Sequence, residues 1–305
     1  MSLIGALVEA GATAFRLNTS HMSTAEVGSA LQAVRAKAPD LPVVVDLQGA
    51  KMRFGQFPGR TVAPNERLRF VLQASSVGEL ALPHPELFAG VRSGDTLSAD
   101  DGRLTFRVLQ VGVDSMEALA LRSGLLQPRK GVNLVEHPVE LNDLTPADLE
   151  VVRLASAEHN VSFAYSFMKD GREVGWIKHH APERAVIGKI ERQEAVQELE
   201  AIAGRADALW ICRGDLGAQL GVAALARFVA ELDPGKVTCP VLMAGQVLEH
   251  LTRHPEPTRS EVCHLYDLWS RGYAGIVLSD ETAIGEDPKR AVAHAAALAQ
   301  GFKVA

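Results

Sequence analysis

The stretch AVIGKIERQEAVQELEAIAGRADALWICRGDLG, residues 185–217, decides the fold. It opens on one strand-like run, AVIGKIE (185–191), and closes on a second, ALWICRG (208–214). Between them, Ala195 to Ile202 carries apolar residues at helical spacing. Two buried strands separated by a helix form the unit of a parallel sheet, since a parallel connection needs a crossover. Both runs lead into polar residues: Lys189 and Glu191 at the end of the first, Arg213, Gly214 and Asp215 at and just after the end of the second.

Working outward, the same kind of run recurs at TAFRLN (13–18), PVVVDLQG (42–49), VSFAYSF (161–167), PVLMAG (240–245) and GIVLSDE (275–281). Helical spacing recurs at 24–37 and 287–299. The alternation predicts an α/β fold of the TIM-type (β/α) barrel class, with seven recognisable strands where closure needs eight. Ser2 to Gly11 reads as a helix with Leu3, Ile4, Leu7 and Val8 on one face and Gly11 as its cap. Polar residues at the strands' C-terminal ends mark the active face of such a barrel.

The interval between the second and third strands reads differently. Residues 51–128 carry alternating patterns, at Arg67 to Leu72 and Arg103 to Leu109. Turn signals stand at Pro58-Gly59, Ser93-Gly94-Asp95 and Asp101-Gly102. We therefore expect a barrel domain over 1–50 and 129–305, and a small inserted β-barrel lid domain over 51–128.

Composition narrows the function classes. Net charge is −6 and no basic tract is dense enough for nucleic acid or a membrane surface. Trp176, Trp210 and Trp269 are not interleaved with basic residues, which argues against base stacking. No apolar run reaches the roughly 18 residues of a membrane span, and the N-terminal residues do not read as a signal peptide. Cys212, Cys239 and Cys263 lack CxxC spacing, and two of them lie in or beside apolar runs. Buried thiols in a reducing, cytoplasmic compartment are expected. His250 and His254 lack a third ligand for zinc and read as a solvated helix end; His179-His180 reads as a surface turn.

Three constellations carry chemistry. Lys189 and Glu191 share one face of a strand end, being two residues apart, and Asp215 follows the next strand. Two carboxylates on adjacent strand ends can hold a Mg²⁺ that keeps waters and accepts substrate oxygens. Gly214 and Gly217 let backbone N–H groups approach an anion at a helix start, and Lys189 suits a developing enolate or a transferring phosphoryl group. A salt-bridge network around a barrel rim explains the same residues and stays open. The second constellation joins Arg16, Asn18, Ser20 and His21 with Asp46, Gly49, Lys51 and Arg53, cations for phosphate beside hard oxygen donors. The third is Lys130-Gly-Val-Asn-Leu, Pro257-Thr-Arg-Ser-Glu261 and Ser279-Asp-Glu-Thr-Ala283.

In order, RLNTSH, DLQGAKMR, a β insertion, KGVNL, SFMK, GKIERQE, RGDLG, PTRSE and LSDETAIG together resemble the pyruvate kinase family over nearly the whole chain. The resemblance implies phosphoryl transfer between phosphoenolpyruvate and ADP, giving pyruvate and ATP. It implies Mg²⁺, or Mn²⁺, on Glu191 and Asp215. Lys189 and Arg16 would act on the substrate, with the Gly214 and Asp215 amides on its carboxylate. Asn18, His21, Arg53 and Lys130 would serve the nucleotide. Asn18, Ser20, Asp46 and the Leu47 carbonyl match the family's monovalent-cation shell.

Departures shape the expectation. Lys51 stands where the family usually has a glutamate, which resembles the branch that needs no K⁺. Gly245 replaces the threonine whose hydroxyl is tied to protonating the enolate; Gln48 replaces a lysine and Asp280 a glycine. The family's first barrel strand and C-terminal regulatory domain are expected to be absent. Two further readings are a Mg²⁺-dependent pyruvate-enolate enzyme, of aldolase or oxaloacetate decarboxylase type, and a non-catalytic metabolite-binding paralogue. Small-molecule substrates are the expected partners, with room for a homo-oligomer.

Overall fold

The structure, a computed structural model, describes residues 3–304 apart from 77, 101 and 138 and apart from the side chains of His21 and Val304. The chain forms two compact units, Met1–Gly49 with Leu144–Ala305, and Ala50–Asp143.

The first unit is built on seven strands: β1 (Phe15–Asn18), β2 (Val43–Leu47), β3 (Val161–Tyr165), β4 (Val186–Ile190), β5 (Ala208–Cys212), β6 (Val241–Ala244) and β7 (Gly275–Val277). They lie side by side in sequence order, every pair parallel. This is the curled parallel sheet of a TIM-type (β/α) barrel. Among the described residues β1 and β7 have no second strand neighbour, so the sheet is open there. The burial follows: β2 and β4 are buried at every position, whereas β1 and β7 are half-buried throughout.

Period two sorts the strand residues into two layers. Val43, Val45, Leu47, Phe163, Ile190, Leu209, Ile211 and Met243 join the main core, to which the helices contribute Val27, Leu31, Val152 and Ile177. The alternate residues Val44, Ala164, Ile187, Trp210, Cys212 and Ala244 form a separate inner cluster. Arg16 pairs in register with Val44, Asp46 with Ala164, and Lys189 with Trp210, which places all three on that inner face.

The helices are α1 (Leu3–Glu9), α2 (Thr24–Lys37), α3 (Pro146–Ala155), α4 (Arg172–His180), α5 (Gln193–Gln197), α6 (Leu199–Ala203), α7 (Arg213–Leu220), α8 (Val222–Glu231), α9 (Arg259–Ser270), α10 (Asp280–Ala283) and α11 (Pro288–Gly301). Their starts are written locally. Ser23 and Glu26 form a capping box on α2, Thr258 and Glu261 another on α9, and Thr145 with Pro146 opens α3. Helix α1 packs beside α11, close enough that a Cβ on Gly11 would meet the Ala296 Cβ at 2.8 Å.

Four local expectations are corrected. Leu3, read on one face of the first helix with Ile4, Leu7 and Val8, is exposed where the other three are half-buried, and no residue of α1 is fully buried. The helix read through 195–202 breaks at Glu198 into α5 and α6. His179 and His180 are the last turn of α4 rather than a turn of their own. Of the cysteines, Cys212 is buried, Cys239 half-buried and Cys263 exposed. No helix among the described residues is long and apolar enough to cross a membrane.

The second unit has its own core. A seven-stranded sheet runs Met52–Arg53, Gly131–Leu134, Thr96–Ala99, Leu104–Val111, Ser115–Ala120, Arg67–Val71, Leu80–Ala81, antiparallel except at the last pair. Gly124–Leu126 pairs separately with Arg60–Val62. Alternation buries Leu68 and Phe70 on one strand and Leu104, Phe106 and Val108 on another. Phe70 stacks on Phe54 and meets Phe106 edge-on.

Candidate active site

At the C-terminal ends of β1, β2 and β4 the inner face changes from apolar to charged. Asp46 is 1% exposed and takes two cations at once. Arg16 Nε donates to its Oδ2 at 2.7 Å with Nη2 at 2.6 Å, and Lys189 Nζ lies 3.0 Å from Oδ1. Lys189 Nζ also pairs with Glu191 Oε1 at 3.1 Å and donates to Ser166 Oγ at 2.7 Å. The Ser166 hydroxyl in turn donates to the Leu47 carbonyl at 2.7 Å. The Arg16 guanidinium lies 5.9 Å from the Trp210 ring centre, within cation–π range.

Burial and charge oppose each other here. Burial alone favours a neutral Lys189, but Asp46 and Glu191 outweigh it and raise the amine above its ordinary value, so it stays an ammonium. Burial would raise the Asp46 carboxyl, but Lys189 and then Arg16 reverse this and hold it below the usual carboxylate range. A buried pair of this kind contributes little net stability, yet removing one partner costs about 3–5 kcal/mol by stranding the other charge. The arrangement is a preorganised ammonium, positioned before any substrate arrives.

The turns around it are tied by carboxylates. Glu191 Oε2 accepts the Phe167 N–H at 2.8 Å, where Phe167 has φ 57°. Asp148 Oδ1 and Oδ2 accept the Gln48 and Gly49 N–H groups, each at 3.0 Å. Gly49 has φ 57°, and a Cβ there would stand 2.2 Å from the Ser166 carbonyl oxygen, so the two turns meet only through glycine. Glu281 accepts from Leu248 N and Ser279 N, joining the ends of β6 and β7. Glu173 accepts from Lys169 N and Gly171 N after β3.

Helix α7 begins directly after β5, with Asp215 in its first turn and no side-chain cap from Cys212. The amides of Gly214 and Asp215 belong to this first turn, where N–H groups have no intrahelical acceptor and favour an anion. Gly245 follows β6 with φ 79°; a Cβ there would lie 3.6 Å from the Gly214 nitrogen. The position read as a replaced threonine therefore borders the start of α7.

The structure brings Arg16, Asp46, Lys189 and Glu191 into one bonded group, with the Leu47 carbonyl one hydroxyl away. Asn18 accepts from the Ser20 N–H and opens the turn Thr19–His21; the His21 side chain lies outside the described residues. Lys51, Arg53 and Lys130 belong to the second unit. There Arg53 Nη1 donates to the Arg129 carbonyl at 3.0 Å, Lys130 Nζ pairs with Asp100 at 2.9 Å, and a Cβ on Gly131 would touch the Lys51 side chain. In Pro257 to Glu261 the polar residues Thr258 and Glu261 are engaged in capping α9. Two residues given no role from sequence now have one: Ser166, between Lys189 and Leu47, and Asp148, on the β2 turn. Ser166 was legible in principle, since period two from Ala164 puts it on the inner face.

Among the described residues no three His, Cys, Asp or Glu side chains form a metal-binding group. Glu191 and Asp215, at the ends of neighbouring strands, are two hard oxygen donors. Such a set fits a Mg²⁺ that keeps waters and takes its remaining ligands from substrate, and does not fit a closed zinc site.

Comparison with known proteins agrees with this geometry. A family model described as pyruvate kinase, barrel domain, matches residues 1–292. Pyruvate kinases from Agrobacterium vitis and Thermococcus litoralis are 31% and 30% identical, over 95% and 96% of this chain. The chain spans 64% and 65% of their lengths. The crystal structure of pyruvate kinase from Pyrobaculum aerophilum superposes with a TM-score of 0.80 at 27% identity, covering 97% of this chain and 68% of that one. With the open parallel barrel and the charged group at its strand ends, these matches settle the kinship: the chain belongs to the pyruvate kinase family, along that family's barrel domain.

Proposed function

We infer that the chain transfers a phosphoryl group from phosphoenolpyruvate to ADP, with a divalent cation and without K⁺. The observation that carries this reading is the buried Lys189 ammonium, held between Asp46 and Glu191 and steadied by Ser166. The P–O bond to the enolate oxygen breaks as a new one forms to the nucleotide's terminal phosphate oxygen, and negative charge spreads over the phosphoryl oxygens and the enolate. Lys189 is already charged and held at the strand ends; with its three N–H groups on Asp46, Glu191 and Ser166, it exchanges one of these partners for the substrate oxygen as that charge develops. Arg16, fixed by Asp46 and Trp210, is assigned to the phosphate. The Gly214 and Asp215 amides are assigned to the substrate carboxylate. Glu191 and Asp215 would hold Mg²⁺, which supplies Lewis-acid stabilisation of the same oxygens. In this reading the first unit is the catalytic domain, and Arg53 and Lys130 take the nucleotide phosphates. Lys51 supplies the positive charge that K⁺ supplies elsewhere in the family.

Gly245 favours a second reading, in which the same half-site stabilises the pyruvate enolate released when oxaloacetate loses carbon dioxide or an aldol bond is cleaved, without a nucleotide. A coupled assay with phosphoenolpyruvate and ADP, run beside an oxaloacetate decarboxylation assay, separates the two. The first reading expects Mg²⁺-dependent pyruvate and ATP formation, unchanged when K⁺ is replaced by a bulky organic cation. Decarboxylation without phosphoryl transfer supports the second. Activity in neither assay, with phosphoenolpyruvate still bound, would mark a metabolite-binding protein and reject both.

A further inference from the structure

The geometry points to His264 as a positioning residue that makes the turn after β6 sensitive to protons: neutral His264 holds Arg213, and Arg213 holds the Gly245–Gln246 turn. Arg213, the first residue of α7, donates Nε and Nη2 to the Gly245 carbonyl at 3.0 and 2.8 Å. Nη2 also donates to the Gln246 carbonyl at 2.5 Å. The remaining corner, Nη1, lies 3.0 Å from His264 Nε2 on α9. A guanidinium only donates, so Nε2 must be the acceptor and His264 must be neutral, with its proton on Nδ1.

What Arg213 holds is a strained turn. Gly245 and Gln246 have φ values of 79° and 50°, two left-handed residues in succession, the second with a side chain. Three donated bonds from a single guanidinium hold those carbonyls in place. Fixing the turn also fixes the surroundings of the α7 start, since the Gly245 Cβ direction leads to the Gly214 nitrogen at 3.6 Å. The consequence for substrate rests on the functional reading above; the clamp itself does not.

The surroundings favour the neutral histidine. Burial, then Arg213, hold His264 below its ordinary value; Asp267 on the same helix pulls the other way and Arg271 adds to the lowering. Burial also lowers Arg213, although Glu281 on α10, Glu249 after β6, Tyr273 ahead of β7 and Glu261 on α9 offset part of it. When Nε2 takes a proton its lone pair is lost, and the contact becomes donor against donor and cation against cation. Arg213 is then pushed from the anchor that orients it, and the turn loses protection.

Hydrogen–deuterium exchange of segment 244–248 in the full chain, corrected for the intrinsic pH dependence, tests this between about pH 8 and 5, the range of histidine titration. The parent should lose protection several-fold on acidification. His264→Gln keeps an acceptor without a titrating proton and should stay protected at both pH values; His264→Leu should be poorly protected at both. Equal acid sensitivity in the parent and in His264→Gln, or no acid sensitivity in the parent, overturns the proposal. Because a variant can misfold, the His264 ring is also titrated by NMR in the parent chain. It should titrate below the free-histidine value, and an ordinary value there contradicts the clamp. No readout uses substrate, so an inactive chain would leave the result standing.

Discussion

Asp46 and Asp148 flank the turn after β2, and burial acts on both, yet their carboxyls move in opposite directions. Lys189 and Arg16 hold Asp46 below its ordinary value, so its stabilisation is present above the unfolded value and lost as pH falls through the folded one. Among the described residues Asp148 has no cation partner of that kind. Burial raises it from 3.8 to about 6, against hydrogen bonds from Thr145, Gly49 and Gln48. Between those two values the native carboxyl keeps a proton that the unfolded chain has released. The native state therefore binds more protons, and stability falls as pH rises through this window, by about 3 kcal/mol at full shift. Asp148→Asn should remove that slope, whatever constant cost the lost acceptor adds. Urea unfolding at several pH values between 4 and 6.5 checks it, and a parallel decline in parent and variant would contradict it. Such residues were poorly legible beforehand. Asp148 reads as an ordinary first-turn acid of α3, and only the fold brings Gln48 and Gly49 to it.

At the scale of elements, the seven strands were legible because parallel strands buried on both faces must be apolar runs. The break between α5 and α6 was not, since the apolar period continues through Glu198 and no glycine or proline marks it. The clamp of Arg213 on the β6 turn was not legible either, because it joins residues from three elements distant in sequence. That turn also decides whether a side-chain hydroxyl can be placed at this position. A Cβ at Gly245 has room, 3.6 Å from the nearest heavy atom, but φ 79° penalises a β-branched residue. Gly245→Thr should therefore fold with a stability loss of about 1–2 kcal/mol. It should nevertheless raise overall pyruvate formation, if protonation of the enolate limits turnover. Rate and urea midpoint measured on one preparation decide the matter. A folded variant with no gain in rate would place the limit elsewhere.

For the whole molecule, the expectation of an open seven-stranded barrel agrees with the sheet observed, whose edges β1 and β7 are half-buried at every position. Strand edges present N–H and C=O groups to whatever lies beside them, and water there allows exchange. Amide exchange should be fastest in β1 and β7 and slowest in β4 and β5; equal protection across the sheet would mean that the edges are covered. The strand ends are proposed to form a divalent-cation and phosphoenolpyruvate site on Glu191, Asp215 and Lys189. Calorimetric titration of phosphoenolpyruvate with and without Mg²⁺, on the parent chain, Glu191→Gln and Asp215→Asn, tests it most directly. Binding in the parent should depend on Mg²⁺ and be lost in both variants, with the fold retained. Unchanged affinity in both variants, or binding in the parent that ignores Mg²⁺, would contradict it.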